Sequence, residues 1–146
     1  MPFVPESFQV PPGLSKEGLE LIPLRPEHNE PDHEAWNTSW EQIHNTPGFD
    51  DRWPHEMTLE ENQGDLERHW ADFLARQGFT YTVRQAGRTV GCVYIYPDGD
   101  PGAAKVKSWV RADAADLDVP LYRVVSKWLA EEWPFEDVRY APRAID

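Results

Sequence analysis

Alternation of apolar and polar positions dominates the second half of the chain and predicts a run of strands. Residues 79–83 and 89–96 are rich in aromatic and β-branched side chains, and residues 85–88 between them suit a hairpin turn. After a second turn rich in Pro and Gly, residues 104–110 predict a third strand, antiparallel to the second. Residues 118–133 then have apolar positions at helical spacing, and Val138–Tyr140 leaves room for one short strand.

Helical spacing governs most of the first half. Residues 19–25 form a short apolar strand candidate, and Pro23 within it favours an edge position, where no ladder donor is needed. A helix is predicted from near Pro31, with Trp36, Trp40 and Ile43 as its buried stripe. A second helix is predicted between Thr58, which with Glu61 makes a capping box, and Gly78.

The first residues have a different composition from the rest of the chain. Four prolines and a glycine within residues 1–13 oppose both helix and central strand, so an irregular arm is expected. With 146 residues, the chain is long enough for one core but too short for two. We therefore expect a Pro-rich arm over residues 1–18 and a single domain over residues 19–146.

Charge and cysteine content narrow the classes of partner. A net charge of −12 argues against nucleic acid as a partner and favours cationic small molecules or simply solubility. The single Cys92 lies in an apolar run, which fits a reducing cytoplasm. The chain begins without a secretory signal pattern and has no run of eighteen apolar residues, so we expect a cytoplasmic protein that does not contact membranes.

The predicted order is strand, two helices, three antiparallel strands, helix, strand. Over about residues 19–141 this order resembles the GNAT superfamily of N-acetyltransferases, with residues 91–96 and 106–110 similar to its third and fourth strands. The groups His28-Asn-Glu, Trp36 and Thr46-Pro-Gly-Phe49 resemble small GNAT-like proteins of actinobacteria. The resemblance implies an α+β (α/β) fold, with a mixed, mostly antiparallel sheet of about five strands flanked by three helices.

The resemblance also implies acetyl-CoA as the cofactor, bound where the fourth strand ends. The cofactor-binding candidates on that basis are Trp109, Val110, Arg111, Ala112 and Asp113. In the family, a glycine-rich loop follows this strand and presents its amides to the pyrophosphate. Residues 110–120 contain no glycine and three aspartates, so the phosphate loop is degenerate. The chain also ends soon after the fifth predicted strand, where the family has a further helix and hairpin.

The family's acceptor site lies between the first two helices and the splayed strands. The substrate-binding candidates there are Trp36, Trp40, Phe49, Trp53 and His55, because aromatic rings near acids bind amines.

Direct transfer to an amine needs a base and an acid. Glu30 and His28 are the base candidates, with His55 as an alternative, and Tyr122 is preferred over Tyr94 and Tyr96 as the acid. The acidic group around His28 and His33 matches no closed zinc pattern, so no metal is expected.

Two hypotheses follow. The first is an acyltransferase that moves an acetyl or other acyl group from acyl-CoA to a small amine. The second is a non-catalytic GNAT-like module that binds a ligand or self-associates and has lost acetyl-CoA binding. Because the last strand would be an unprotected edge, we expect either a homodimer or coverage of that edge by the arm.

Overall fold

In the computed structural model, which describes residues 2–144, six strands form one sheet in simple sequence order. The strands are β1 (Leu14–Lys16), β2 (Leu19–Pro23), β3 (Phe79–Gln85), β4 (Arg88–Pro97), β5 (Ala103–Val110) and β6 (Asp137–Tyr140). Neighbours from β1 to β5 are antiparallel, and β6 pairs with β5 in parallel. The mixed α/β class predicted from the sequence is therefore confirmed.

Helices cover both faces of the sheet. They are α1 (Asn29–Asn37), α2 (Trp40–His44), α3 (Leu59–Leu74) and α4 (Asp118–Glu132). On one face, α4 and the N-terminal arm enclose the larger core, which contains Tyr81, Val93 and Leu129. On the other face, α1 and α3 enclose a smaller core around Trp36, Cys92 and Trp109. None of the helices in residues 2–144 is both long and apolar enough to cross a bilayer.

One strand and one helix exceed the predicted numbers. The extra strand, β1, forms a tight hairpin with β2, and its turn residues Glu17 and Gly18 both have positive φ. Three residues are too few for an alternating pattern to be recognised. Pro23 lies beyond the register of β1, so the missing amide donor costs no ladder bond.

The helix predicted from Pro31 through Ile43 is divided into α1 and α2. The hydroxyls of Thr38 and Ser39 bond back to the carbonyls of Glu34 and Ala35 at 2.9 and 2.8 Å. Such side-chain bonds compete with the continuing helix. Ser39 Oγ also accepts the amide hydrogen of Ala112 at 2.9 Å, so the break holds α1 against the segment that follows β5.

Strands β5 and β6 separate part-way along their length. They pair only from Ala103 to Val106 on β5 and from Asp137 to Tyr140 on β6. Beyond Val106, β5 continues to Val110 paired only with β4. The divergence leaves a gap beside the second half of β5. The helix α4 begins eight residues after β5 ends.

Candidate active site

A cavity of about 680 Å³ lies between the sheet and the layer formed by α1, α3 and the loop at residues 45–58. Its floor is built from side chains of β4 and β5 that share one face of the sheet. Tyr94 stands opposite Lys107, and Tyr96 stands opposite Lys105. The indole of Trp109 donates to the hydroxyl of Tyr94 at 2.9 Å. This volume suits a small organic ligand.

A buried carboxylate lies at the wall of the cavity. Asp32, in the first turn of α1, is 4% exposed and lines the cavity. The amide of Asn62 on α3 donates to Asp32 at 3.1 Å and to Asn29 at 2.8 Å, and its oxygen accepts from the indole of Trp36 at 3.2 Å. Asn29 and Trp36 lie three and four residues from Asp32, on the same helical face. The network fixes the carboxylate but leaves it without a cation.

Burial raises the pKa of Asp32 to about 6, although the hydrogen bond from Asn62 acts in the opposite direction. The carboxylate is therefore mostly ionised at pH 7. No lysine or arginine within residues 2–144 forms an ion pair with it. An unpaired ionised carboxylate in such a place is costly unless a cation is supplied.

The neighbouring groups stay neutral. Burial is the main reason that the pKa values of the Cys92 thiol and the Tyr94 hydroxyl are raised well above their usual ranges, and the charge of Asp32 adds to both shifts. Tyr94 therefore keeps its proton at physiological pH. The site offers a negative charge beside a neutral hydroxyl.

The aromatic wall of the cavity comes from the loop between α2 and α3. Phe49 and Trp53, two of the residues expected at an acceptor site, line the cavity. Trp36 lies behind this wall, with its ring 5.4 Å from that of Trp53. Trp40 and His55 lie outside the cavity lining: the Trp40 indole donates to Asn37, and His55 is exposed.

A second polar chain reaches the cavity from α3. His69 Nδ1 lies 2.9 Å from the hydroxyl of Tyr96, and that hydroxyl donates to Asp72 at 2.9 Å. Assigning the single hydroxyl hydrogen of Tyr96 to the carboxylate makes His69 Nδ1–H the donor to Tyr96, with the Thr80 hydroxyl 3.2 Å from the same nitrogen. This assignment leaves the lone pair on Nε2. Burial lowers the pKa of His69 to about 4, so the ring is neutral at pH 7.

The segment after β5 presents no free cation. Arg111 is buried, with 7% of the residue exposed. Its guanidinium forms a bidentate ion pair with Glu34, at 2.7 and 2.8 Å. Its Nε donates to Asp113 at 2.9 Å, and Arg88 also binds Asp113. Glu34 is the main cause of the raised pKa of Arg111. This arginine is committed to the protein's own carboxylates.

The gap between β5 and β6 is filled by Arg143, whose side chain is 2% exposed. Its guanidinium donates to five oxygen-bearing partners: the Asp118 carboxylate at 2.8 Å, the Ser108 carbonyl at 2.9 Å, the Ser108 hydroxyl at 3.3 Å, and the carbonyls of Ala141 and Pro47 at 2.9 and 3.2 Å. The rings of Tyr122 and Tyr140 lie 5.6 Å from it. Arg143 thus occupies the edge of β5 exposed by the divergence.

Several solved acetyltransferases have the same architecture. RimL, a ribosomal L7/L12 α-N-protein acetyltransferase solved with coenzyme A, matches with a TM-score of 0.63 and 13% identity over 77% of this chain. The microcin C7 self-immunity acetyltransferase MccE, solved with acetyl-CoA and AMP, matches with a TM-score of 0.68 and 14% identity over 84% of this chain and 67% of its own. A GNAT-family acetyltransferase from Streptococcus pneumoniae matches with a TM-score of 0.54 and 12% identity, over 84% of this chain and 73% of its own.

The chain has a GNAT fold. It spans 64% of the length of RimL. No protein-family model matches the sequence, and no curated protein matches it either. At 12–14% identity, these structures establish the fold alone.

Within this GNAT fold, the predicted catalytic residues are not brought together. Tyr122 lies on α4, half-buried, with its ring 4.7 Å from that of Tyr140. Glu30 is exposed on α1, on the opposite face of the sheet, and His28 Nδ1 accepts the amide hydrogen of Arg25 at 3.0 Å. Within residues 2–144, no group of three metal-ligating side chains could hold a metal ion.

The predicted cofactor residues are contiguous but mostly engaged. Trp109 and Val110 are fully buried, Ala112 donates its amide hydrogen to Ser39, and Asp113 binds the arginines described above. Sequence reasoning missed Asp32, Asn62 and His69 as site residues. For Asp32 a signal existed, because it is four residues before Trp36 on the predicted buried stripe.

Proposed function

We propose that this chain is a GNAT-fold binding domain for a small organic amine, held as its ammonium ion at Asp32. The observation that carries the proposal is the buried, ionised carboxylate of Asp32 at the wall of an open cavity, without a cationic partner within residues 2–144. A bound ammonium supplies the missing charge. The cost of burying the carboxylate is then recovered on binding.

The rest of the lining supports an ammonium carried on an apolar body. Phe49 and Trp53 present ring faces, and Leu24 and Leu66 add aliphatic surface. Aromatic faces attract cations, and the attraction grows when water is excluded. The Trp53 ring is 6.2 Å from that of Trp109 and 6.0 Å from that of Phe49, so the wall is packed against the core rather than free.

Two engaged arginines favour binding over group transfer. An acyl-CoA donor needs cations for its phosphates, and Arg111 is paired with Glu34 and Asp113. The gap beside β5, which the resemblance to GNAT enzymes implies for the acyl-pantetheine arm, is filled by Arg143. A donor would have to displace this side chain.

Acyl transfer to the bound amine is the second candidate, and the fold favours it, since the matched structures are acetyltransferases, two of them solved with coenzyme A or acetyl-CoA. In that reaction the neutral amine nitrogen attacks the thioester carbonyl, the carbon–sulfur bond breaks, and the thiolate takes a proton. Tyr122 lies beside the gap and is the proposed acid. The unprotonated Nε2 of His69 is a better placed base than Glu30 or His28, because His69 lines the cavity.

Calorimetric titration with primary alkylamines tests the binding proposal. We expect saturable binding by the wild-type protein and an affinity at least about tenfold weaker, about 1.4 kcal/mol, in Asp32→Asn. Asp116→Asn is the matched control, since Asp116 is an exposed aspartate outside the cavity lining. This control should keep wild-type affinity.

Absence of amine binding at millimolar concentration, or equal affinity in wild type and Asp32→Asn, would overturn the proposal. Titration with acetyl-CoA, alone and with the amine present, separates the two candidates. Saturable acetyl-CoA binding by the wild-type protein, lost in Arg111→Glu, favours acyl transfer. Amine binding without acetyl-CoA binding favours the binding domain.

A further inference from the structure

Two lysines stand on the same cavity floor as the tyrosine next to Asp32. Lys107 is directly opposite Tyr94 across the β4–β5 pair, and Lys105 is opposite Tyr96. Side chains opposite each other in an antiparallel pair have Cβ atoms about 5 Å apart. The cationic side of the cavity is therefore within the reach of a short ligand bound near Tyr94.

These lysines lack the partners that the cavity's arginines have. Arg52 pairs with Asp50 at 2.6 Å, and Arg68 lies 3.7 Å from Asp65. Within residues 2–144, neither Lys105 nor Lys107 makes an ion pair with a carboxylate. The chain has four lysines and a net charge of −12, so two unpaired lysines in one cavity are notable. Asp50 also lines this cavity, but it is paired with Arg52, so the two lysines are available to an anionic group of a ligand.

The position of Lys107 also favours an anionic ligand group at this end of the cavity. Its ammonium lies 5.3 Å from the ring centroid of Phe49, so the side chain is held over the cavity wall. Burial lowers the pKa of Lys107, the charges of Lys105 and Arg52 lower it further, and the charge of Asp50 acts in the opposite direction. A bound anion would relieve this repulsion while remaining close to the aromatic wall.

We infer that the ligand is a short amino acid, with its ammonium at Asp32 and its carboxylate at Lys107 and Lys105. The inference rests on the proposed amine site at Asp32 and specifies what lies at the other end of the ligand. A buried acid at one end and two unpaired cations at the other fit a zwitterion better than a simple amine. An amine without an anionic group leaves both lysines unpaired.

The test compares 4-aminobutyrate with n-butylamine, which has the same chain length but no carboxylate. Calorimetry is performed on the wild-type protein and on Lys107→Gln, with Lys127→Gln as the matched control on the exposed face of α4. We expect wild type to bind the amino acid at least about tenfold more tightly than the amine. Lys107→Gln should remove that preference and leave n-butylamine affinity unchanged, and Lys127→Gln should change neither.

Asp32→Asn distinguishes failure of this inference from failure of the proposed function. It should weaken both ligands, because both depend on the ammonium site. If neither ligand binds wild type, the proposed function itself fails, and this inference fails with it. If both bind equally, or if Lys107→Gln weakens both equally, the amine site stands and the zwitterion inference is overturned. A series from glycine to 6-aminohexanoate then identifies the chain length that spans the two ends.

Discussion

At the scale of single residues, Asp32 is a carboxylate whose ionised form is disfavoured by burial. Its pKa is about 6, against 3.8 for an unperturbed aspartate, so the folded state holds the proton more tightly than the unfolded state. The stability that this provides is present below about pH 4 and is lost as the pH rises through 6. Such a cost is typical of residues retained for binding.

Asp32→Asn is therefore expected to be more stable than wild type at pH 7.5, by about 3 kcal/mol. At pH 4 the carboxylate is largely protonated in the folded protein, and the difference should shrink towards zero. Urea unfolding at both pH values measures this difference in stability, with Asp116→Asn as the control. A variant less stable than wild type at pH 7.5 would show that the bond from Asn62 outweighs the burial of charge.

The residues of the site show what a sequence can reveal. Phe49 and Trp53 were predictable, because aromatic residues in a loop between helices must pack somewhere near the sheet. Asp32 gives no such signal by its type, because acids are common in the first turn of a helix, where they interact favourably with the helix dipole. In the sequence, Lys107 is one of two lysines that alternate with other residues along a predicted strand, a common pattern for an exposed strand face. Only the tertiary placement of the loop at residues 45–58 makes that face the floor of a cavity.

At the scale of elements, long periodic segments were predictable and breaks between them were not. The strands β3, β4 and β5 and the helices α3 and α4 follow their sequence patterns closely. The division between α1 and α2 depends on Ser39, whose hydroxyl bonds both Ala35 and the distant Ala112. No local pattern contains the second of these contacts.

The gap between β5 and β6 supports a prediction about Arg143. Arg143→Ala removes the partner of Asp118, which is 16% exposed by side chain, and should lower the free energy of unfolding by about 3 kcal/mol. It should also open the edge of β5 at Ser108, and acetyl-CoA affinity should rise at least about tenfold over wild type. Arg123→Ala, on the exposed surface of α4, is the control.

Thermal unfolding and acetyl-CoA titration below the melting temperature measure the two effects. Asp118→Asn provides an independent way to loosen the same contact, because it weakens the ion pair without emptying the gap. Unchanged acetyl-CoA affinity in Arg143→Ala, with the protein still folded, would mean that the gap is not a route for an acyl donor.

At the scale of the whole molecule, the N-terminal arm packs against the core on the α4 face of the sheet. Phe3 stacks 5.0 Å from Phe135, and Phe8 lies 5.3 Å from Trp133. Arg76 donates to two arm carbonyls, at Pro5 and Phe8. The β6 edge is treated differently: Arg139 binds Asp98, Asp100 and Asp137, and a charged edge opposes strand addition. Homodimerisation remains a prediction, and the packing of the arm on its own chain allows it to be tested.

Val4 is 1% exposed, so Val4→Asp places an unpaired charge in the core and should lower the melting temperature by several degrees or more. Glu6→Gln, at an exposed position of the same arm, should leave it unchanged. Because the arm packs on its own chain, the melting temperature of wild type should not depend on protein concentration over about two decades, from about 1 to about 100 µM. A melting temperature that rises with concentration, together with a dimer in light scattering, would mean that the arm belongs to a partner subunit's surface in solution.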